Sequence, residues 1–295
     1  GCIVTGVELA RRAVACPGRW RWMPGMHTTE GAIVASCVDG IPTEVVFDGA
    51  LVPAVVVHDG IDTRMVAPRP TVRITLPDRA GLVLSRQDEV ITFVNRNLEP
   101  GRGYHVLMRA LPALLRRRPG AHVLIVGGDG SSYGPAPADG STWKARFANE
   151  ARAQMDATEW ARVHFLGNVP HAQFVGMLQL SSVHVYLTYP FVLGWSLIEA
   201  MSAGCAIVAS DTAPVQEVIQ HGETGRLVSF FDQPALIEQI CDLLDSPQER
   251  VRLGANARAE AMRTFDLMTV CLPRQIQWVE SLADPKGEAS AAADL

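Results

Sequence analysis

From residue 90 onward the chain alternates between two hydrophobic rhythms. Near-continuous apolar runs stand at "VITFVN" (90–95), "HVLIVGG" (122–128), "VHFLG" (163–167), "VHVYLTY" (183–189), "AIVAS" (206–210) and "RLVSF" (226–230). Between them, apolar residues recur at helical spacing over 103–118, 142–155, 171–181, 196–204, 214–222 and 234–246. Two further helical stretches follow over 247–264 and 269–282. Runs without polar alternation read as strands buried on both faces, and helices between them give a parallel sheet covered on both sides. The expected fold is α/β, a doubly wound parallel sheet that binds ligands beyond the carboxyl ends of its strands. Pro112 falls inside the first helix and predicts a kink.

The first 88 or so residues keep no such period. They hold short apolar pieces among many Gly and Pro, and a Trp- and Arg-rich stretch, "RWRWMPGMH" (19–27), that reads as surface packing of two indoles. "VAPRPTVRITLPDRAGLVLSRQDE" (66–89) carries three prolines and mixed charge, which suits an interdomain linker. The tail "ADPKGEASAAADL" is small and polar, the composition of a disordered end.

Composition narrows the classes. A chain of 295 residues, 48% hydrophobic, suits one large or two ordinary domains. A net charge of -5 argues against a broad nucleic-acid surface and leaves room for a local basic pocket. The six cysteines lack CxxC spacing, which argues against a zinc site and a disulfide framework and fits a reducing cytoplasm. No apolar run reaches the roughly 18 residues a membrane span needs.

The loops after the strands are where chemistry is expected. In "NRNLEPGRG", Arg96 and Arg102 flank a Pro-Gly turn ahead of a helix start, which reads equally as an anion site or as two solvated arginines. In "GGDGSSYG", Gly127, Gly128 and Gly130 admit a ligand near the backbone or a flexible turn. In "YPFVLGWSLIEAMSAG", Gly194 opens a helix whose free amides suit a phosphate. Glu199 lies about one turn in, among apolar and small residues with no cation beside it; it faces water, or something binds it, and a ribose diol would suit. In "SDTAPVQEVI", Asp211 or Thr212 reads as a helix cap. His171 falls near the mouth of this end. No DxD pair stands in a strand-end loop, so no metal site is expected.

Taken together, "HDGIDT", "NRNLEPGRG", "VLIVGGDG", "VHFLGNVPHAQF" and "SLIEAMSAGCAIVASDTAPVQEVIQHGETGRLV" resemble the group 1 (family 4) glycosyltransferases of the GT-B fold, mainly their C-terminal nucleotide-sugar-binding domain. The resemblance covers roughly residues 55–282. It implies a remnant of the N-terminal domain over 1–65, a linker over 66–89, a Rossmann-like nucleotide-sugar-binding domain over 90–268, a terminal crossover helix over 269–283 and a disordered tail over 284–295. The N-terminal part is expected to be truncated or degenerate.

The resemblance further implies a retaining, metal-independent transfer of a hexose from a UDP-, GDP- or ADP-linked donor to a saccharide or other acceptor, with bacterial envelope polysaccharide as the family-level setting. No cofactor, nucleic-acid partner or transmembrane segment is implied; a cytoplasmic enzyme with room for peripheral membrane association is. Arg96 and Arg102 match the arginine and lysine that grip the diphosphate. Glu199 matches the second Glu of a Glu-seven-residues-Glu motif and would bind the ribose. Asn168 and Val169 would face the base, and Gly128, Gly194, Trp195, Ser196 and Leu197 complete the nucleotide set. Three departures stand out: the first motif Glu is Phe191, the glycine before the arginine is Asn95, and Arg102 replaces lysine. A non-catalytic nucleotide-binding module is the alternative these departures favour.

Overall fold

The alternation of strands and helices folds much as its pattern predicts. The computed structural model describes residues 57–76, 81–132, 134–191 and 193–283, with the backbone of four short strands before them. Those strands make two antiparallel pairs, β1 (Cys2–Val4) with β2 (Ile33–Ala35) and β3 (Thr43–Phe47) with β4 (Ala50–Ala54). The stretch 19–27, most of 1–65 and the tail 284–295 lie outside the described residues. The chain divides into two units, Thr63–Met262 and Gly1–Asp62 with Arg263–Leu295.

The larger unit opens with a hairpin, β5 (Arg73–Thr75) and β6 (Val83–Ser85), inside the stretch that reads as a linker. Val66, Val72, Leu76 and Leu84 are buried there, so its apolar residues serve a core despite the prolines. Next come β7 (Val90–Asn97), α1 (Tyr104–Arg117), β8 (His122–Gly128), α2 (Trp143–Arg152), α3 (Ala157–Trp160) and β9 (Val163–Gly167). Then follow α4 (His171–Leu180), β10 (Val183–Tyr186), α5 (Trp195–Ser202), β11 (Ile207–Ser210), α6 (Ala213–Gln216), β12 (Arg226–Val228), α7 (Gln233–Asp245) and α8 (Pro247–Phe265).

All six strands β7 to β12 are parallel, in the order β12-β11-β10-β7-β8-β9. The first strand is central; the chain winds outward to β9, then returns to β10 and winds the other way. The order reverses between β7 and β10, and in such sheets the ligand crevice lies outside the carboxyl ends at that switch point. Burial follows from the double cover: every residue of β10 and β11 is buried. On α1, Leu107, Ala110, Leu111 and Leu114 repeat at three and four residues and are fully buried, packing on Phe93, Val123 and Ile125.

Helix α1 includes Pro112 within its 14 residues. Several boundaries differ from the pattern. The tenth strand stops at Tyr186 rather than 189, because the Thr188 amide turns to Ser210 Oγ (2.9 Å) and the Tyr189 amide to the Gly101 carbonyl (3.0 Å). Helix α6 is four residues long, not nine; the Gln220 amide goes to Thr224 Oγ1 (2.9 Å). A capping box between Asp156 and Glu159 starts α3, a helix the spacing did not reveal.

In the smaller unit, Ile61 exchanges backbone bonds with Phe265 and Leu267, each at 2.9 Å. A π-helical turn, Leu267–Cys271, leads into α9 (Leu272–Ala283), on which Ile276 is exposed while Leu272 and Trp278 are half-buried. Among the described residues no helix is long and apolar enough to cross a membrane. Cys205, Cys241 and Cys271 are free thiols.

Candidate functional site at the sheet switch point

The loop after β7 begins in a bulge. Val94 pairs with Val126 and Asn97 with Gly128, so Asn95 and Arg96 together oppose Gly127. A bulge bends the strand and re-aims a side chain at a sheet end. Arg96 is exposed there, with no hydrogen-bond or ion-pair partner among the described residues. Arg102 is placed differently. It ends a 3-10 turn, Pro100–Arg102, is buried, and donates from Nη1 to Thr188 Oγ1 at 3.1 Å. Its guanidinium carbon stands 4.8 Å from the centre of the Phe191 ring. Thr188 is fixed in turn by Ser210, which accepts from its amide (2.9 Å) and donates to its carbonyl (3.0 Å). The loops after β7, β10 and β11 are thereby tied together across the switch point.

Gly103 follows Arg102 in the left-handed region, φ 74°, and a Cβ there would overlap the Leu187 side chain. Glycine at this position lets the β7 and β10 loops approach.

The described part of the loop after β8 bonds to residues at and beyond the end of β7. Asn97 Oδ1 accepts from the Gly130 amide (3.1 Å), Asn97 Nδ2 donates to Ser132 Oγ (2.6 Å), and the buried Glu99 carboxylate accepts from the Ser132 amide (3.1 and 3.2 Å). These bonds tie the described part of the loop to the end of β7 and the segment after it. At Gly128 a Cβ would stand 2.8 Å from Asn97 Oδ1 and 3.1 Å from Asn168 Nδ2, so two asparagine side chains already approach its backbone closely. Asn168 is exposed and Val169 half-buried after β9.

The loop after β10 returns to its own strand. The Gly194 amide donates to Tyr186 Oη at 2.8 Å, and α5 begins at the next residue with no side-chain cap. Uncapped first-turn amides carry the positive end of the helix dipole. Trp195 is exposed and Ser196 half-buried, but the Leu197 side chain is fully buried and its amide donates to the Gly194 carbonyl (3.1 Å). Of the four residues expected here, Leu197 belongs to the core.

Glu199 is not the partnerless carboxylate that the sequence suggests. Its Oε1 accepts from His171 Nε2 at 2.7 Å, from the first residue of α4. The Glu199 side chain is 14% exposed and that of His171 49%. After β11, Thr212 takes the N-cap position of α6 as its sequence suggests, though its side chain makes no cap bond; Asp211 Oδ1 accepts from Gln216 Nε2 at 2.6 Å. Among the described residues no group of three or more His, Cys, Asp or Glu could hold a metal ion.

What sequence reasoning missed are the second partners: Tyr186, Asn97, Glu99, Ser210 and His171 as a hydrogen-bond donor. Tyr186 acts on the loop that follows its own strand, and the other four act on segments 22 or more residues away. The signal available was the polar residue at the end of a buried strand, as at Tyr186 and Ser210, where an apolar one would serve the core.

The family described as glycosyl transferases group 1 matches residues 77–260. D-inositol 3-phosphate glycosyltransferase of Corynebacterium glutamicum (strain R) is 28% identical over 210 residues, 71% of this chain and 47% of that protein. Phosphatidyl-myo-inositol mannosyltransferase of Mycolicibacterium smegmatis is 32% identical over 191 residues, 63% of this chain and 43% of that protein. The chain thus spans less than half the length of these two relatives. Among solved structures, sucrose-phosphate synthase from Thermosynechococcus elongatus superposes with a TM-score of 0.60 at 24% identity, over 77% of this chain and 52% of that one. The C-terminal domain of a group 1 glycosyl transferase, LpcC, from Francisella tularensis does so with 0.57 at 15% identity, over 71% of this chain and 100% of that one. These two show a shared fold.

Proposed function

The chain belongs to the group 1 glycosyl transferases, and on that premise we propose that the carboxyl ends of β7 to β10 hold a UDP-, GDP- or ADP-linked sugar whose hexose is transferred, with retention and without a metal, to a saccharide or other hydroxyl-bearing acceptor. An inositol-containing acceptor is one candidate, supported by two relatives named a D-inositol 3-phosphate glycosyltransferase and a phosphatidyl-myo-inositol mannosyltransferase. The cytoplasm is the proposed setting, with room for peripheral membrane association.

The observation that carries this reading is the convergence of Arg96, Arg102, the start of α5 and Glu199 around one switch point. Breaking a sugar–phosphate bond places positive charge on the sugar and negative charge on the departing diphosphate. Preorganised donors aimed at that developing charge lower the barrier most. Arg96, Arg102 and the first amides of α5 supply such donors. Glu199, one turn further in, accepts from the ribose hydroxyls, and Asn168 and Val169 flank the base. Charge-assisted bonds to a carboxylate are worth about 1.5–3 kcal/mol each.

Calorimetry of UDP, GDP and ADP with the 295-residue chain and with Glu199→Ala tests it. One nucleotide is expected to bind, and the variant to lose about 2–3 kcal/mol, roughly 30- to 150-fold. If none binds, the reading falls.

One observation favours a second reading. Phe191 stands where the resemblance expects a carboxylate, and its ring lies beside Arg102. A nucleotide-binding module without transfer activity would tolerate this. Consumption of the bound sugar nucleotide on adding acceptor separates the two.

A further inference from the structure

The hydrogen bond from His171 to Glu199 joins the start of α4 to the second turn of α5. It spans 28 residues of sequence and measures 2.7 Å. An ionised carboxylate can only accept, so Nε2 carries the hydrogen. Among the described residues neither side chain has another polar partner; the His171 ring also rests near Phe174, with centroids 5.7 Å apart. We propose that His171 is a positioning residue for Glu199, holding the carboxylate ready for the ribose diol without touching the nucleotide itself. This rests on the nucleotide-site reading above.

Three features carry the inference. First, capacity remains: a carboxylate offers about four lone-pair sites, the imidazole takes one, and a vicinal diol needs two. Second, a glutamate side chain free to rotate must be ordered when ligand binds, and that ordering costs affinity. The bond from α4 orders it beforehand. Third, the bond crosses between helices, so it is not a local cap of α4, whose N-cap is Pro170 with no side-chain bond. Nothing in the fold of α4 requires it: Phe174, Val175, Met177 and Leu178 bury that helix instead. His171 itself is exposed at the site's rim, where a residue kept only for packing would be buried.

The test uses calorimetry on the full chain with UDP, GDP and ADP and the 2′,3′-dideoxy form of whichever binds. His171→Ala is expected to weaken the ribonucleotide about two- to twelve-fold, the range for ordering one side chain, and to leave the dideoxynucleotide unchanged. His171→Gln, which keeps an N–H donor, should recover part of the loss. The double variant with Glu199→Ala should bind no worse than Glu199→Ala alone. Equal weakening of both ligands by His171→Ala, no change, or tighter binding would each overturn the proposal. If Glu199→Ala weakens the ribonucleotide and His171→Ala does not, only the role of His171 falls. If Glu199→Ala has no effect, or no nucleotide binds, the ribose reading falls and takes this inference with it.

Discussion

The Phe191 ring lies under the Arg102 guanidinium, 4.8 Å from its central carbon, and this contact separates two arginines that the sequence presents as a pair. Arg102 is buried and donates to Thr188, whereas Arg96 is exposed in the bulge at the end of β7.

The two should therefore respond differently to loss of charge. Arg96→Gln is expected to leave stability within about 0.5 kcal/mol, as exposed substitutions do. It should still weaken nucleoside diphosphate binding, and the loss should shrink at high salt. Arg102→Gln should cost both, with affinity down by about 1.5–3 kcal/mol and stability lowered by the lost contacts to Thr188 and Phe191. Urea denaturation beside calorimetry at two salt concentrations checks the contrast. Equal behaviour of the two variants would contradict it.

Gly103 sits between these arginines and the helix they precede. At φ 74° a Cβ is disfavoured by about 1–2 kcal/mol, and here it would also meet the Leu187 side chain. Gly103→Ala is expected to destabilise the fold by about 2–5 kcal/mol, since overpacking adds about 1–3 to the backbone term. The measurement is the denaturation midpoint; a loss below 1 kcal/mol would show that the two loops can part cheaply.

Acid should expose a different weakness. His184, on β10, is fully buried, shares a 2.9 Å bond with Thr92 Oγ1 through Nδ1, and leaves Nε2 without a partner. Burial pushes its pKa down to about 3, against about 6.5 in an unfolded chain. As pH falls below 6.5 the unfolded chain takes the proton first. The stability tied to neutral His184 is complete above that pH and is lost progressively towards 3, at up to about 1.4 kcal/mol per pH unit. Burial lowers His58 and His105 as well, so they add to the same trend. Denaturation midpoints between pH 7 and 5, where most carboxylates stay ionised, should fall in the parent chain. They should fall less steeply in His184→Asn, and an unchanged slope would exclude His184 as a source.

The strands of the central sheet were legible because burial on both faces keeps them mainly apolar, with only isolated polar residues such as Thr92 and His184 inside. β8 and β9 match their apolar runs residue for residue. Elements governed by single hydrogen bonds were not legible. The end of β10 is set by Ser210, which no pattern in 183–189 encodes. The hairpin in 66–89 hid behind its prolines, since Pro68 and Pro70 mark the segment before β5 and not the buried Val72, Leu76 and Leu84. At the site, sequence reasoning located Glu199 and the start of α5 from local spacing. It could not pair Glu199 with His171, because that contact depends on how two helices pack on one face of the sheet.

Tyr186 offers the most direct test of how the fold serves the site. It is the last residue of β10 and almost wholly buried, and its hydroxyl accepts from the Gly194 amide at 2.8 Å. Gly194 directly precedes α5, so the phenol fixes where the helix starts and hence where its free amides stand. Tyr186→Phe keeps the ring and removes the oxygen. Loss of one such bond costs about 0.5–1.5 kcal/mol, with more if the Gly194 amide is left unsatisfied. Because the change lies at the helix start, nucleoside diphosphate affinity should fall along with stability, and affinity for a nucleoside lacking phosphates should not. A variant that is destabilised yet binds the diphosphate with parental affinity would show that α5 holds its start without the phenol, through Leu197 and the packing of its buried face alone.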